Sequence, residues 1–388
     1  MKMHKFNLIL IALSGFACSG LTAQGTGETG DYKLVWQDLF DNGTLDLASW
    51  NIEVNGNGGG NAELQYYRAE NISVGNEPVS KKNCLILTAK KESFGGKPAT
   101  SGRINTNDKM RFKHGKIEAS IKLPHTANGL WPAFWMLGAD FSTTGWPGCG
   151  EIDILEMGER SGINAGTQDR YFSGACHWGS IVNGNHPNYA RATTNSYSLQ
   201  DDFHLFTLIW DDSFVRMYLD LDKYPNGAPY YEMDISNTTN PELPGAFLHK
   251  PFFVIFNLAV GGNFPQIWDI NQITAFQNNE AAMYVDFVKV YQKGTAGEEY
   301  YGPTLGSLNP QPDSQTLYTV YPNPAKDKFR ITGPEPPKTV TLFSITGQKI
   351  GIFKNTGLYD ISGLAGGCYL VTIETAGEAT ETFRLIKQ

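Results

Sequence analysis

The sequence predicts an all-β protein: two packed antiparallel sheets, a sandwich or jelly roll, followed by a small second β-unit. Three observations predict this. Short runs alternate apolar and polar residues, as in Lys116–Leu123, Phe214–Asp220 and Met283–Val290. Turn chemistry separates them, as in the glycine-rich Asn55–Gly60 and in Tyr224–Gly227. No long segment carries apolar residues at helical spacing. Phe252–Leu258 is a near-continuous apolar run and reads as a further strand.

Taken in order, the chain opens with Lys2 and Lys5, an apolar run from Phe6 to Cys18, and small residues around Ala23. This reads as a secretory signal peptide over residues 1–23, the run being too short for a membrane span. No later stretch is apolar enough to make a transmembrane segment. The main β-unit is expected over residues 31–293, a Gly-, Pro- and Ser-containing linker over 294–315, and the second unit over 316–388. Strands of that tail fall at Lys328–Thr332, Thr339–Ile345, Cys368–Ile373 and Glu381–Ile386. At roughly 70 residues it supports only a modest core, and with neither a His nor a carboxylate cluster it is assigned no catalysis.

A net charge of −8 with no basic run argues against a nucleic-acid surface. Among five cysteines, Cys149 and Cys176 are the one plausible disulfide pair after signal removal, with two free buried thiols the alternative. No Cys/His spacing indicates zinc.

The chemistry concentrates in Trp146–Gly158, where Glu151, Asp153 and Glu156 fall within six residues of a segment that otherwise reads as a buried strand. Carboxylates are costly among apolar neighbours. On a strand, Glu151 and Asp153 share a face while Ile152 and Ile154 turn to the core. Glu156 would point inward unless a β-bulge near Ile154 or Leu155 re-aims it. With that bulge the three line one face, with the glutamates roughly 5–7 Å apart, close to the ~5–5.5 Å of retaining glycosidases. Two carboxylates at such a distance repel by about 3 kcal/mol at an effective dielectric of about 20. One then stays protonated while its partner acts as an anion. An acidic surface strand or a calcium site is the competing reading.

The pattern Leu130-Trp-Pro-Ala-Phe-Trp-Met-Leu-Gly138 followed by Gly150-Glu-Ile-Asp-Ile-Leu-Glu156 resembles glycoside hydrolase family 16, on its laminarinase-like side. Asn61–Tyr67, Pro251–Gly262 and Val285–Tyr291 resemble framework segments of the same family, in the same order. The resemblance covers the whole first unit. It implies a jelly roll with a substrate cleft on its concave face and a secreted, endo-acting β-1,3- or mixed β-1,3/1,4-glucanase. Catalysis would retain the anomeric configuration, with Glu151 as nucleophile, Glu156 as acid/base and Asp153 tuning the nucleophile. A glucan-binding protein or a transglycosylase is the alternative. Trp131 and Trp135, on one strand face, are expected to stack on sugar rings. His177, Arg103, Glu63 and Asn61 match polar positions of the cleft. Asp286 matches a position that helps bind a structural calcium ion, although the sequence offers this one ligand only. No cofactor is expected for the chemistry, and the protein is expected to act as a monomer. His114, His125, His186, His204 and His249 show no cluster and read as structural.

In the tail, Tyr321-Pro-Asn-Pro-Ala325, Leu342–Gln348 and the ending Phe383–Gln388 resemble the C-terminal sorting domain of type IX secretion. This implies export to the medium or the outer cell surface, with the secretion machinery as a partner.

Overall fold

A computed structural model describes residues 32–303, 318–333, 336–344, 349–353, 357–374 and 380–387. The expected signal peptide and Cys18 lie outside these residues. The chain divides into two compact units at Thr304/Leu305.

Among the described residues, the first unit holds a ten-stranded and a nine-stranded sheet. Their strand pairs are antiparallel except Gln65–Tyr67 with Ala99–Ser101. In the nine-stranded sheet, Asn188–Thr194, Tyr171–His177, Glu151–Met157 and Leu130–Gly138 run as a meander. Leu130–Gly138 then pairs with the distant Phe252–Val260, which pairs with Arg103–Asn105. This return by a remote strand is what makes a jelly roll rather than a simple meander. Two short helices, Phe141–Thr144 and Arg160–Ala165, punctuate the acidic region.

One core fills the space between the sheets. Phe134 stacks on Phe256 with ring centroids 4.7 Å apart, and both are fully buried. Ile152, Ile154 and Leu155 join the same core from the acidic strand. Phe252–Val260 is buried at every position.

The expected linker needs one correction. Glu299–Tyr301 forms a strand against Arg111–Lys113, with Lys113 Nζ 2.8 Å from Glu299 Oε1. The first unit therefore runs past residue 293, because Tyr300 packs against its core and Glu299 finds a cation there.

The tail forms a three-stranded and a four-stranded sheet among its described residues. Phe329 stacks on Tyr359, and Val340, Val371 and Leu385 complete a separate small core. Among the described residues of the first unit, the cysteines do not pair. Cys149 belongs to a small cluster with Leu137, Phe253 and Ile255, whereas Cys176 lies in the main core. The two thiols sit on opposite faces of the same sheet, so the free-thiol alternative holds.

Candidate active site

The site is built by cross-strand register. Ala133 pairs with Glu156, then Phe134 with Leu155 and Trp135 with Asp153, so the ladder slips by one residue at Ile154. The opposite ladder slips in the same place, between Asp153 and Glu156. The bulge expected from the spacing is present. Ile154 and Leu155 both bury their side chains in the core, which a regular strand forbids for neighbours.

A bulge leaves a ladder carbonyl without its strand partner, and burying it unpaired is costly. Here the Tyr230 hydroxyl, itself buried, donates to Ile154 O. Gly174 lies opposite the bulge. A Cβ there would stand 2.5 Å from Met217 Sδ and 3.3 Å from the Tyr230 ring, so a larger residue would have to displace the buried Met217 side chain. Neither residue carries a sequence signal that ties it to the acidic strand.

The three acids face the cleft, and each has its own surroundings. The indole N–H of Trp146 donates to Glu151 Oε2 across 3.1 Å. That of Trp131 donates to Glu156 Oε1, also across 3.1 Å. Asp153 is 4% exposed. His177 stands directly across the strand pair from Glu151. Its Nε2 is 3.3 Å from Asp153 Oδ2 and 3.9 Å from Glu151 Oε1. Burial pushes the Asp153 carboxyl up to about 8. Burial, then the charge of Asp153, pushes Glu156 up to about 8, against the pull of His177 and the Trp131 N–H. Glu151 is raised by burial and by Asp153, while His177 and Arg103 favour its anion. Three acids this close and this dry hold fewer than three negative charges at neutral pH.

The three acids open onto a cleft of about 570 Å³. Trp131 and Trp135 line it, as do Asn61, Glu63 and Arg103. Trp131 stacks on Phe264 at 4.6 Å. Trp135 donates to Asn257 Oδ1 across 2.7 Å, and the Arg103 guanidinium lies 4.9 Å from its ring centre. Arg103 Nε is held by Glu53 Oε1 at 2.8 Å. Glu63 is buried and accepts from Gln65 Nε2 at 2.5 Å and from the Tyr67 hydroxyl at 3.3 Å, so it braces the wall. Asn61 sits on the neighbouring glycine loop, its amide toward Gly59 O. His177 stands against the acids rather than among the residues that wall the cleft. Trp178, adjacent in sequence, is buried with its indole on Glu242 O.

Sequence reasoning missed Glu53, Tyr67 and Asn257. For Asn257 a signal existed: it is the one polar residue in the buried run Phe252–Val260 and bridges Trp135 to the Tyr67 hydroxyl. The histidines read as isolated are also not all so, since His186 meets His177 at 2.7 Å and His114 meets His249 at 2.9 Å.

Asp286, the residue matched to a calcium position, meets a lysine and a serine. Its Oδ2 accepts from Lys82 Nζ at 2.5 Å and from Ser120 Oγ at 3.3 Å. A hard cation needs several oxygen ligands, and an ammonium group already neutralises this carboxylate.

A β-sandwich carrying paired glutamates across a bulged strand, in an aromatic cleft, defines a glycoside hydrolase. Residues 66–238 match glycosyl hydrolases family 16. The chain is 32% identical over 304 residues to a beta-glucanase of Rhodothermus marinus, covering 75% of this chain and 95% of that protein. It is 37% identical over 264 residues to the clotting factor G alpha subunit of Tachypleus tridentatus, covering 67% of this chain but only 34% of that protein. A solved Bacteroides ovatus mixed-linkage-glucan family 16 structure, in complex with a product, is 40% identical with a TM-score of 0.57. That match covers 66% of this chain and 99% of the solved one. The chain belongs to glycosyl hydrolases family 16. Residues 319–388 match the secretion system C-terminal sorting domain, which directs the chain through type IX secretion to the cell surface or the extracellular space. Among the described residues, no helix is long and apolar enough to cross a membrane.

Proposed function

We propose that the first unit cleaves β-1,3-linked glucan, alone or mixed with β-1,4 links, within the polymer chain and with retention of configuration. The observation that carries this reading is the different environment of the two glutamates on one face. Glu151 attacks the anomeric carbon, and the bond to the leaving sugar breaks as Glu156 gives its proton to the glycosidic oxygen. Because the Trp131 N–H occupies Glu156 Oε1, the proton resides on Oε2. In the second step Glu156 takes a proton from water, whose oxygen attacks the anomeric carbon and frees Glu151. A protonated Asp153 spares Glu151 a negative neighbour. Trp131 and Trp135 offer apolar faces for sugar rings, and Arg103, Asn61 and Glu63 supply polar contacts along the wall. The names of the relatives, one a beta-glucanase and one a mixed-linkage-glucan protein, support the substrate class. The chemistry calls on no cofactor. A calcium ion near Asp286 would be structural and would compete with Lys82 for that carboxylate.

The test is proton NMR of the first anomer released from laminarin and from a mixed-linkage glucan. Early β-anomer from either supports the reading; early α-anomer from both, or no cleavage of either, overturns it.

A further inference from the structure

His186 is not a wall residue of the cleft, yet it touches two groups that touch Glu151. Its Nε2 lies 2.7 Å from His177 Nδ1. Its ring meets the Trp146 ring edge-on, with centroids 4.5 Å apart and planes at 64°. His177 Nε2 faces Asp153 and Glu151, and Trp146 donates to Glu151 Oε2.

The backbone fixes His186 there. Asn183 and Gly184 both have positive φ, at 54° and 79°, and form the tight two-residue turn of a hairpin closed between Val182 and Asn185. Trp178 N donates to Pro187 O across 3.1 Å and closes the base, and Asn188 Nδ2 holds His186 O at 3.2 Å. A short hairpin bonded at both ends positions a side chain far better than a free loop.

We infer that His186 is a positioning residue for the nucleophile: by donating from Nε2 to His177 Nδ1 it fixes the His177 proton on Nε2, toward Glu151 and Asp153. The inference rests on Glu151 being the nucleophile. The chemistry requires the donor. The Glu151 anion on one side of His177 favours an N–H at Nε2, which leaves a lone pair at Nδ1, and that lone pair needs an N–H opposite it. Burial and the neighbouring His177 hold His186 below the ordinary histidine range, so it is neutral at mild pH with one N–H to place. The titratable groups facing the pair are Glu151, Asp153 and Glu156 of the acidic strand; Trp146 and Asn188, packed beside it, are uncharged. The second contact, ring on ring, holds the Trp146 indole where its N–H reaches Glu151.

The test compares the full chain with His186→Phe, which keeps a ring against Trp146 and removes the donor, and His186→Gln, whose amide nitrogen can replace Nε2–H. We expect His186→Phe to lower kcat on laminarin about tenfold, with KM within twofold and a shifted acid limb of the kcat profile. His186→Gln restores most of the rate and the profile. An unshifted profile in His186→Phe, or a His186→Gln variant as slow as His186→Phe, overturns the inference. Nitrogen-15 NMR of the unmutated protein supplies a readout that needs no variant to fold: a His177 protonated at Nδ1 alone overturns it. Trapping with a 2-fluoro glucoside separates the two readings. Label on Glu151 with an unshifted His186→Phe profile rejects the role of His186 alone, whereas label on another residue rejects Glu151 as nucleophile.

Discussion

The indole N–H of Trp131 donates to Glu156 Oε1 across 3.1 Å while the Trp131 ring stacks on Phe264. One side chain thus joins the wall of the cleft to the proposed acid/base. The bond favours the anion of Glu156, so it works against the burial that raises this carboxyl to about 8. Trp131→Phe keeps the stack and removes the donor. The alkaline limb of kcat/KM, which reports the acid, should move up by about one pH unit. A pH–rate profile on a soluble glucan checks the shift, and a downward move would contradict the assignment of the acid.

The raised carboxyls also set a stability gradient. The unfolded chain releases the Glu156 proton near 4.5 and the folded chain near 8, so between these values the folded state binds more protons. Stability therefore falls as pH rises through that window, the reverse of a salt-bridged carboxylate. Glu156→Gln should raise the unfolding free energy by about 1–3 kcal/mol at pH 8 and leave it near the parent value at pH 4. Thermal or urea unfolding at both pH values measures the difference.

Tyr230 holds the bulge from beneath, its hydroxyl donating to Ile154 O. Tyr230→Phe leaves a buried carbonyl unpaired and should cost about 1–3 kcal/mol of stability. Because the bulge aims Glu156, kcat should fall more than KM rises. Urea unfolding alongside steady-state kinetics tests both parts.

Cys149 and Cys176 are buried on opposite faces of the sheet, and burial raises both thiols, Cys149 to about 11. They should resist a thiol reagent in the native state and react only on unfolding. A reducing agent should leave the melting temperature and activity unchanged.

The all-β class, the acidic strand and its bulge were legible in the sequence. They depend on periodicity: side chains alternate along a strand, so the positions of Glu151, Asp153 and Glu156 among isoleucines already require a slip. Asn257 was legible in principle, as a lone amide in an apolar run. The extension of the first unit to Tyr301 was not, since Glu299–Tyr301 is a strand only because Arg111–Lys113 offers it an edge.

What the sequence determined by itself is therefore local: which residues alternate, where turns fall, and that two glutamates share a face. The tertiary structure decided what surrounds them. Trp131 reaches Glu156 and Trp146 reaches Glu151 through side-chain paths that no spacing encodes. Tyr230 comes from a segment 76 residues away to hold the bulge carbonyl, and the His186 hairpin folds back onto His177. The physical reason is that a carboxyl's proton affinity depends on nearby charges, donors and burial, and these neighbours are assembled by strand register and packing between residues distant in the chain.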